Sequence, residues 1–325
     1  MIRQFKAMGS QFLLRLDPKS GDVPAEQNLK AILKRLSDEI MRLELVMSRF
    51  RPDSELMRLN QSLGEFVRIS DEMASVLRIA QKSYVLTHGV FDPRVLSSLE
   101  DLGYGGAPLP SHEFIEQNKT RGRDVRKRTG ALFTWRDSNT VKVSESIDLG
   151  GIGKGYTADA VAEWIEQFCP DQLSGYIVNA GGDMVVKGVQ HSGEPWSIGI
   201  EDPFKPEHLI AVLSPAHNQT AVCTSAVWKR SWVTQGRRVH HLIDPKTGTS
   251  AHTGIVAVTV LADNATIAET ITKYILITGG VSGIQVPIDL SYLIIYEDQS
   301  VAMSPSMVNR VTWLDREQLA QIEIR

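Results

Sequence analysis

Cysteine is nearly absent from this sequence: its 325 residues include only Cys169 and Cys223. Two cysteines are too few for a disulfide framework and lack the paired spacing of a metal site. Both are read as buried thiols in a reducing compartment. A surplus of either charge is missing as well, with 35 basic against 38 acidic residues and a net charge of −3. No overall attraction to nucleic acid or to an anionic membrane is therefore expected. Long apolar runs are also lacking. Stretches such as Tyr274 to Ile277 and Tyr292 to Tyr296 fall far short of the roughly 20 residues that span a bilayer, so no membrane insertion is expected. The opening from Met1 to Ser10 has a positive start but no following apolar segment and no lipoprotein-type cysteine, which reads as cytoplasmic.

What is present is enough apolar sequence, 42% of residues, for a large core. Helical spacing of Leu29, Ile32, Leu33, Leu36, Ile40 and Leu43 predicts one amphipathic helix over 26–47. Ser70 caps a second helix, with Met73, Leu77, Ala80 and Tyr84 turned inward and Gly89 closing the segment. Further helices are expected over about 154–168 and 265–278, the last ended by Gly279-Gly280. Runs rich in β-branched and aromatic residues predict strands at 175–179, 183–188, 196–200, 208–213, 219–223, 240–243, 255–261 and 291–296. Without strict βαβ alternation, the pattern is α+β in a single domain, 1–325. Tyr104 to Pro110 reads as loop, and the basic run Arg121 to Arg128 as solvated loop, because no aromatics are interleaved with it.

Three segments carry chemistry. Ile147 to Tyr156 places four glycines and Lys154 between a strand and a helix, where backbone N–H groups and a positive helix end can cradle a phosphate. It fits neither the Gly-x-Gly-x-x-Gly nor the Walker pattern, and a tight structural turn is the competing reading. Asn179-Ala180-Gly181-Gly182-Asp183 is a second glycine turn after a strand. His240 to Gly248 joins paired histidines to an Asp-Pro turn, with His241 suited to general-base work and Asp244 placed to orient its loop.

In this order the segments resemble the FAD:protein FMN transferases, the ApbE family. The resemblance runs through Ala7 to Ser10, Ser48 to Asn60, Gly89 to Pro93, both glycine turns, Thr224-Ser225, His241 to Gly248 and Ala268 to Gly279. It implies an ApbE-like, T-fold-related α+β fold of mixed sheets with flanking helices and an FAD cleft, followed by a C-terminal extension at about 297–325. Matching positions imply flavin or adenine contacts from Met8, Phe50, Asn60, Val90, Phe91, Asp92, Asp148, Lys154, Ser225 and Ile243. Family members cleave FAD, release AMP and transfer FMN to a Thr or Ser of an acceptor protein, with Mg²⁺ neutralising phosphate charge; some instead hydrolyse FAD.

The family's metal ligands map onto the Gly151 carbonyl and onto Ala268-Glu269-Thr270-Ile271-Thr272-Lys273, where Glu269 replaces an Asp and Lys273 a Thr. Three readings follow: a disused metal site filled by a Glu269–Lys273 ion pair, a Lys273 ammonium in the metal's place, or a weakened site of Gly151, Glu269 and Thr272 with Lys273 turned outward. Ala226 stands where the family often has glycine. The Leu314, Leu319 and Ile322 pattern suggests a short packed helix or a partner surface. An FAD-binding protein without turnover, an FAD pyrophosphatase and, last, a nicotinamide dehydrogenase remain as alternative functions.

Overall fold

The computed structural model describes residues 1–19, 26–104, 131–169, 172–205, 207–216, 218–284 and 290–325. The basic run Arg121 to Arg128 and the loop from residue 105 to Pro110 lie outside them. A nine-stranded sheet forms the frame, its spatial order following the chain: β1 Ile2–Ala7, β2 Ser10–Pro18, β3 Leu173–Ala180, β4 Asp183–Gly188, β5 Thr220–Ala226, β6 Ile255–Ala262, β7 Ser291–Tyr296, β8 Val301–Met303 and β9 Ile322–Ile324. Each neighbouring pair is antiparallel except the last, β8 with β9. Ala226 ends β5 opposite Ala257. Strands β1 and β2, β3 and β4, and β7 and β8 pair across short turns, whereas β2 pairs with β3 across the long stretch of chain between Pro18 and Leu173; β6 is apolar on both faces because it is covered on both.

One face carries helices and the other a small sheet. Helix α1, Glu26–Met47, supplies Leu29, Leu33, Leu36 and Ile40 to a core shared with α3, Gly153–Phe168, and α4, Ala265–Thr278. Across the sheet, Val186, Val222 and Leu293 pack with Ile198, Ile210 and Leu213 of a three-stranded sheet. A third cluster joins the end of α1 to α2, Asp71–Leu86, through Leu43, Met73, Leu77, Ala80 and Ile152. Ser70 caps α2 as expected, its hydroxyl accepting from Met73 N–H at 3.1 Å. The α2 helix stops at Leu86, capped by Thr87, and Tyr84 is only half buried, its ring beneath the Arg94 guanidinium.

Two expectations are corrected. The single strand over 240–243 is broken: Arg237–His240 pairs with Ser231–Thr234, Ile243–Asp244 pairs with Thr249–Ser250, and His241 and Leu242 cross between the two hairpins. The C-terminal pattern forms strands, not a helix. Val311–Leu314 pairs with Leu209–Leu213 and Ile322–Ile324 with β8, so Leu314, Leu319 and Ile322 pack against the core of the small sheet, and the short helix is Pro305–Val308.

Helices α3 and α4 touch at Gly155. A Cβ there would stand 2.6 Å from the Ala265 carbonyl oxygen and 2.9 Å from a Glu269 carboxylate oxygen. Gly155→Ala is therefore expected to destabilise the protein by about 1–3 kcal/mol, read as a lower midpoint in chemical denaturation. An unchanged midpoint would show that the two helices have slack.

Candidate active site

The segments after α1 and α2, the glycine turn, the stretch from His241 to Ile243 and the second half of α4 line a cleft of about 700 Å³, open at its mouth. Phe50, Val90, Phe91, Asp92, Asp148, Gly151, His241 and Ile243 of the expected residues line it, as does Lys273. A second chamber of about 470 Å³ adjoins it and is lined by Met8 and Lys154; Arg49, Phe50, Asp148, Gly150 and Arg230 belong to both. Asn60, Ser225, Asp244, Glu269 and Thr272 do not line either space.

The glycine turn forms the floor, and its shape is fixed from beneath. Asn60 accepts from Ile147 N–H and donates to the Ile147 carbonyl, each at 2.9 Å. Asp148 accepts from Gly150 N–H and from Arg49 Nε, the latter at 2.6 Å. Asp92 is buried against Arg94, 2.8 Å away, and caps the turn after it. Met8 reaches the second chamber from the β1–β2 hairpin, where Met8 and Gly9 both have positive φ, 50° and 65°. That is the backbone of a two-residue hairpin turn, and it is strained at a residue with a Cβ.

One wall is aromatic. Tyr104 stacks on Trp232 at 5.0 Å and meets the edge of Phe50 at 6.1 Å, while the Arg49 guanidinium covers both Phe50 and Tyr104. Trp232 donates to the Leu102 carbonyl at 2.6 Å, docking the histidine-bearing hairpins onto the segment after α2. Arg49, Tyr104, Trp232 and Arg230 were not singled out from the sequence. Arg49 adjoins Phe50 in a recognisable segment, whereas Arg230 and Trp232 offered no local signal.

The paired histidines divide their work. His240 is buried, its Nε2 2.8 Å from the Ala251 carbonyl and its backbone bonded to Ser250. His241 faces the cleft, with Nδ1 3.4 Å from the Arg230 carbonyl. Burial, then the positive charges of Arg230 and Lys273 and the neighbouring His240, lower its pKa well below 6.5, so the imidazole is neutral at pH 7. Donating through Nδ1 to that carbonyl leaves Nε2 with its lone pair free. Asp244 does not touch His241. Its carboxylate accepts from Lys246 N–H at 2.9 Å, and its carbonyl accepts from Gly248 N–H at 2.8 Å, so it shapes the loop that carries the histidine.

Beneath the glycine turn lies a buried charge cluster. Lys154 is paired with Asp183 and lies 3.2 Å from Glu269; Lys273 lies 3.1 Å from the same Glu269 oxygen. The other Glu269 oxygen accepts from Gly155 N–H at 2.8 Å. Burial alone would raise the Glu269 pKa, but Lys154, Lys273 and the Gly155 N–H outweigh it and hold the carboxyl below its ordinary range. The Thr272 hydroxyl is taken up by the Glu269 carbonyl at 2.8 Å and Ser225 Oγ at 2.7 Å.

This arrangement does not fit a divalent cation. Gly151 keeps its place in the cleft, but both Glu269 oxygens are engaged, two ammonium groups face one of them, and Thr272 is turned to Ser225. Among the described residues no group of three or more His, Cys, Asp or Glu is placed to hold a metal. Nor does Lys273 turn outward. Its side chain is buried, because α4 is packed on all sides, and it runs past the Gly151 turn.

Comparison with known proteins agrees with this architecture. The FAD:protein FMN transferase of Haemophilus influenzae is 28% identical over 321 residues, spanning 94% of this chain and 90% of that protein. The FAD:protein FMN transferase of Vibrio cholerae is 27% identical over 284 residues, spanning 86% and 81%. Among solved structures, the ApbE protein of Thermotoga maritima superposes with a TM-score of 0.77 at 28% identity, covering 95% of this chain and 98% of that one. The model of the ApbE family matches residues 8–287, most of the chain, and the protein described here belongs to the ApbE family.

Proposed function

We propose that the chain is an FAD:protein FMN transferase. The observation that carries this reading is the meeting, in one cleft, of a glycine turn, the Lys273 ammonium and a histidine held neutral; the similarity to transferases along most of the chain supports it. A hydroxyl oxygen of the acceptor protein attacks the FMN-side phosphorus of FAD. The bond from that phosphorus to the bridging oxygen breaks, AMP leaves with the electron pair, and the hydroxyl proton passes to His241 Nε2. The turn from Asp148 to Lys154 meets the pyrophosphate, and Met8, Phe50, Val90, Phe91, Asp92 and Ile243 bound the flavin and adenine. Asn60, Asp244 and Ser225 act from behind, by holding the turn, the histidine loop and Lys273. The whole chain serves as one flavin-binding domain. Its two free, buried cysteines suit the reducing cytoplasm.

The test is incubation of the protein and FAD with an extract containing flavoproteins, followed by denaturing electrophoresis and AMP assay. Covalent flavin fluorescence on an acceptor, with equimolar AMP, supports the reading. AMP without labelled protein identifies a pyrophosphatase, and intact FAD a binding protein.

Because the active base is neutral His241, a depressed pKa keeps it competent as pH falls through 6.5. The kcat/KM profile for FAD should therefore stay level through that pH and fall only below it, while kcat, which reports the complex with an anionic substrate, falls at a higher pH. A kcat/KM midpoint at or above 6.5 contradicts the assignment.

A further inference from the structure

We propose that Lys273 is a resident cation of this cleft, supplying from the chain itself the positive charge for the FAD pyrophosphate, so that FAD binds without a divalent metal. The inference rests on the cleft being an FAD site, as argued above, but not on FAD being cleaved there.

Charge balance is the first argument. The buried cluster holds two carboxylates, Asp183 and Glu269, and two ammonium groups, Lys154 and Lys273. It is neutral as it stands. A divalent ion added to it would have to displace an ammonium group 3.1 or 3.2 Å from Glu269 and would leave a surplus of buried positive charge. Without the Lys273 charge, the same cluster would be short by one positive charge, with Glu269 fully buried.

Placement is the second. The Lys273 stem runs along the glycine turn, with Cδ and Cε each 3.5 Å from where a Gly151 Cβ would stand, in ordinary packing contact with it. Its ammonium lies at the cleft wall and is steadied by Glu269 Oε1 at 3.1 Å, the Glu269 carbonyl at 3.2 Å and Ser225 Oγ at 3.4 Å. The Ser225 contact is the longest of the three, and a phosphate oxygen arriving over Gly151 can replace it. Lysine meets phosphate as a point charge, with less directional demand than a metal shell.

The test compares FAD affinity, read from quenching of flavin fluorescence, in chelator and in Mg²⁺, together with Mn²⁺ binding followed by electron paramagnetic resonance. For the natural protein the account expects equal FAD affinity in both media and no saturable Mn²⁺ binding. Lys273→Thr should bind FAD about tenfold or more weakly in chelator, regain affinity with Mg²⁺ and acquire saturable Mn²⁺ binding; Lys273→Arg should stay metal-independent. FAD affinity of the natural protein that collapses in chelator overturns the proposal, and that measurement needs no variant. Lys273→Thr binding FAD as tightly as the natural protein in chelator also overturns it. FAD binding in chelator with no AMP release in either medium supports the proposal and sinks the transferase reading, so the two fail separately.

Discussion

His241→Asn is expected to slow AMP release from FAD by about 10²–10⁴-fold, the usual contribution of a positioned general base, with FAD affinity changed little. The argument rests on three features. The ring lines the cleft, its Nδ1 is turned to the Arg230 carbonyl, and its surroundings keep it unprotonated. An asparagine amide can still donate to the Arg230 carbonyl, so the loop between the two hairpins should keep its course while the free lone pair is lost. Single-turnover AMP release and flavin fluorescence titration, run on the same preparation, separate the chemical step from binding. A variant that releases AMP at the natural rate would move the base elsewhere. One that loses FAD binding altogether would recast His241 as a binding group.

Glu269→Gln should be the most damaging single substitution to stability. It leaves two buried ammonium groups, Lys154 and Lys273, with one carboxylate, Asp183, which pairs with Lys154 alone, and removing one partner of a buried ion pair costs about 3–5 kcal/mol. Adding Lys273→Met should recover a large part of that loss, because the double change removes one charge of each sign. Denaturant midpoints of the two single variants and the double variant measure the coupling. The dependence on pH has a definite sign. The Glu269 pKa is lower in the folded protein than its ordinary 4.5, so its contribution is complete above that value and is lost as pH falls below it toward the folded-state pKa. The stability gap between the natural protein and Glu269→Gln should therefore be constant from pH 7 to about 5 and narrow in more acid solution. A gap that widens on acidification would mean that Glu269 is protonated in the folded protein.

Four helices were legible because their signals are local. The spacing along 26–47, the Ser70 cap, the glycine turn before Lys154 and Gly279 in a left-handed conformation at the end of α4 each act within a few residues. The errors fall where pairing is distant. Val311–Leu314 is a strand because Leu209–Leu213 lies beside it, about a hundred residues away in sequence, and the spacing of Leu314, Leu319 and Ile322 imitates one face of a helix. His240 to Ile243 reads as one strand because every residue in it suits a strand; only the partners reveal that two hairpins meet there. The site divides along the same line. Glycine turns, Phe50 and His241 could be read in place, but the orientation of Lys273 could not. A Glu–Lys pair at i,i+4 looks the same on a solvated helix as on a buried one, and burial of α4 is decided by β5, β6 and α3 packing around it.

The most direct measurement is chromatographic assay of AMP released when the protein is mixed with FAD and a flavoprotein-containing extract in the presence of a chelator. Release of AMP matched by covalently bound flavin on an acceptor is the result expected of a metal-independent FMN transferase. FAD recovered intact in chelator, with AMP formed only after Mg²⁺ is restored, would contradict metal-independent turnover at this site.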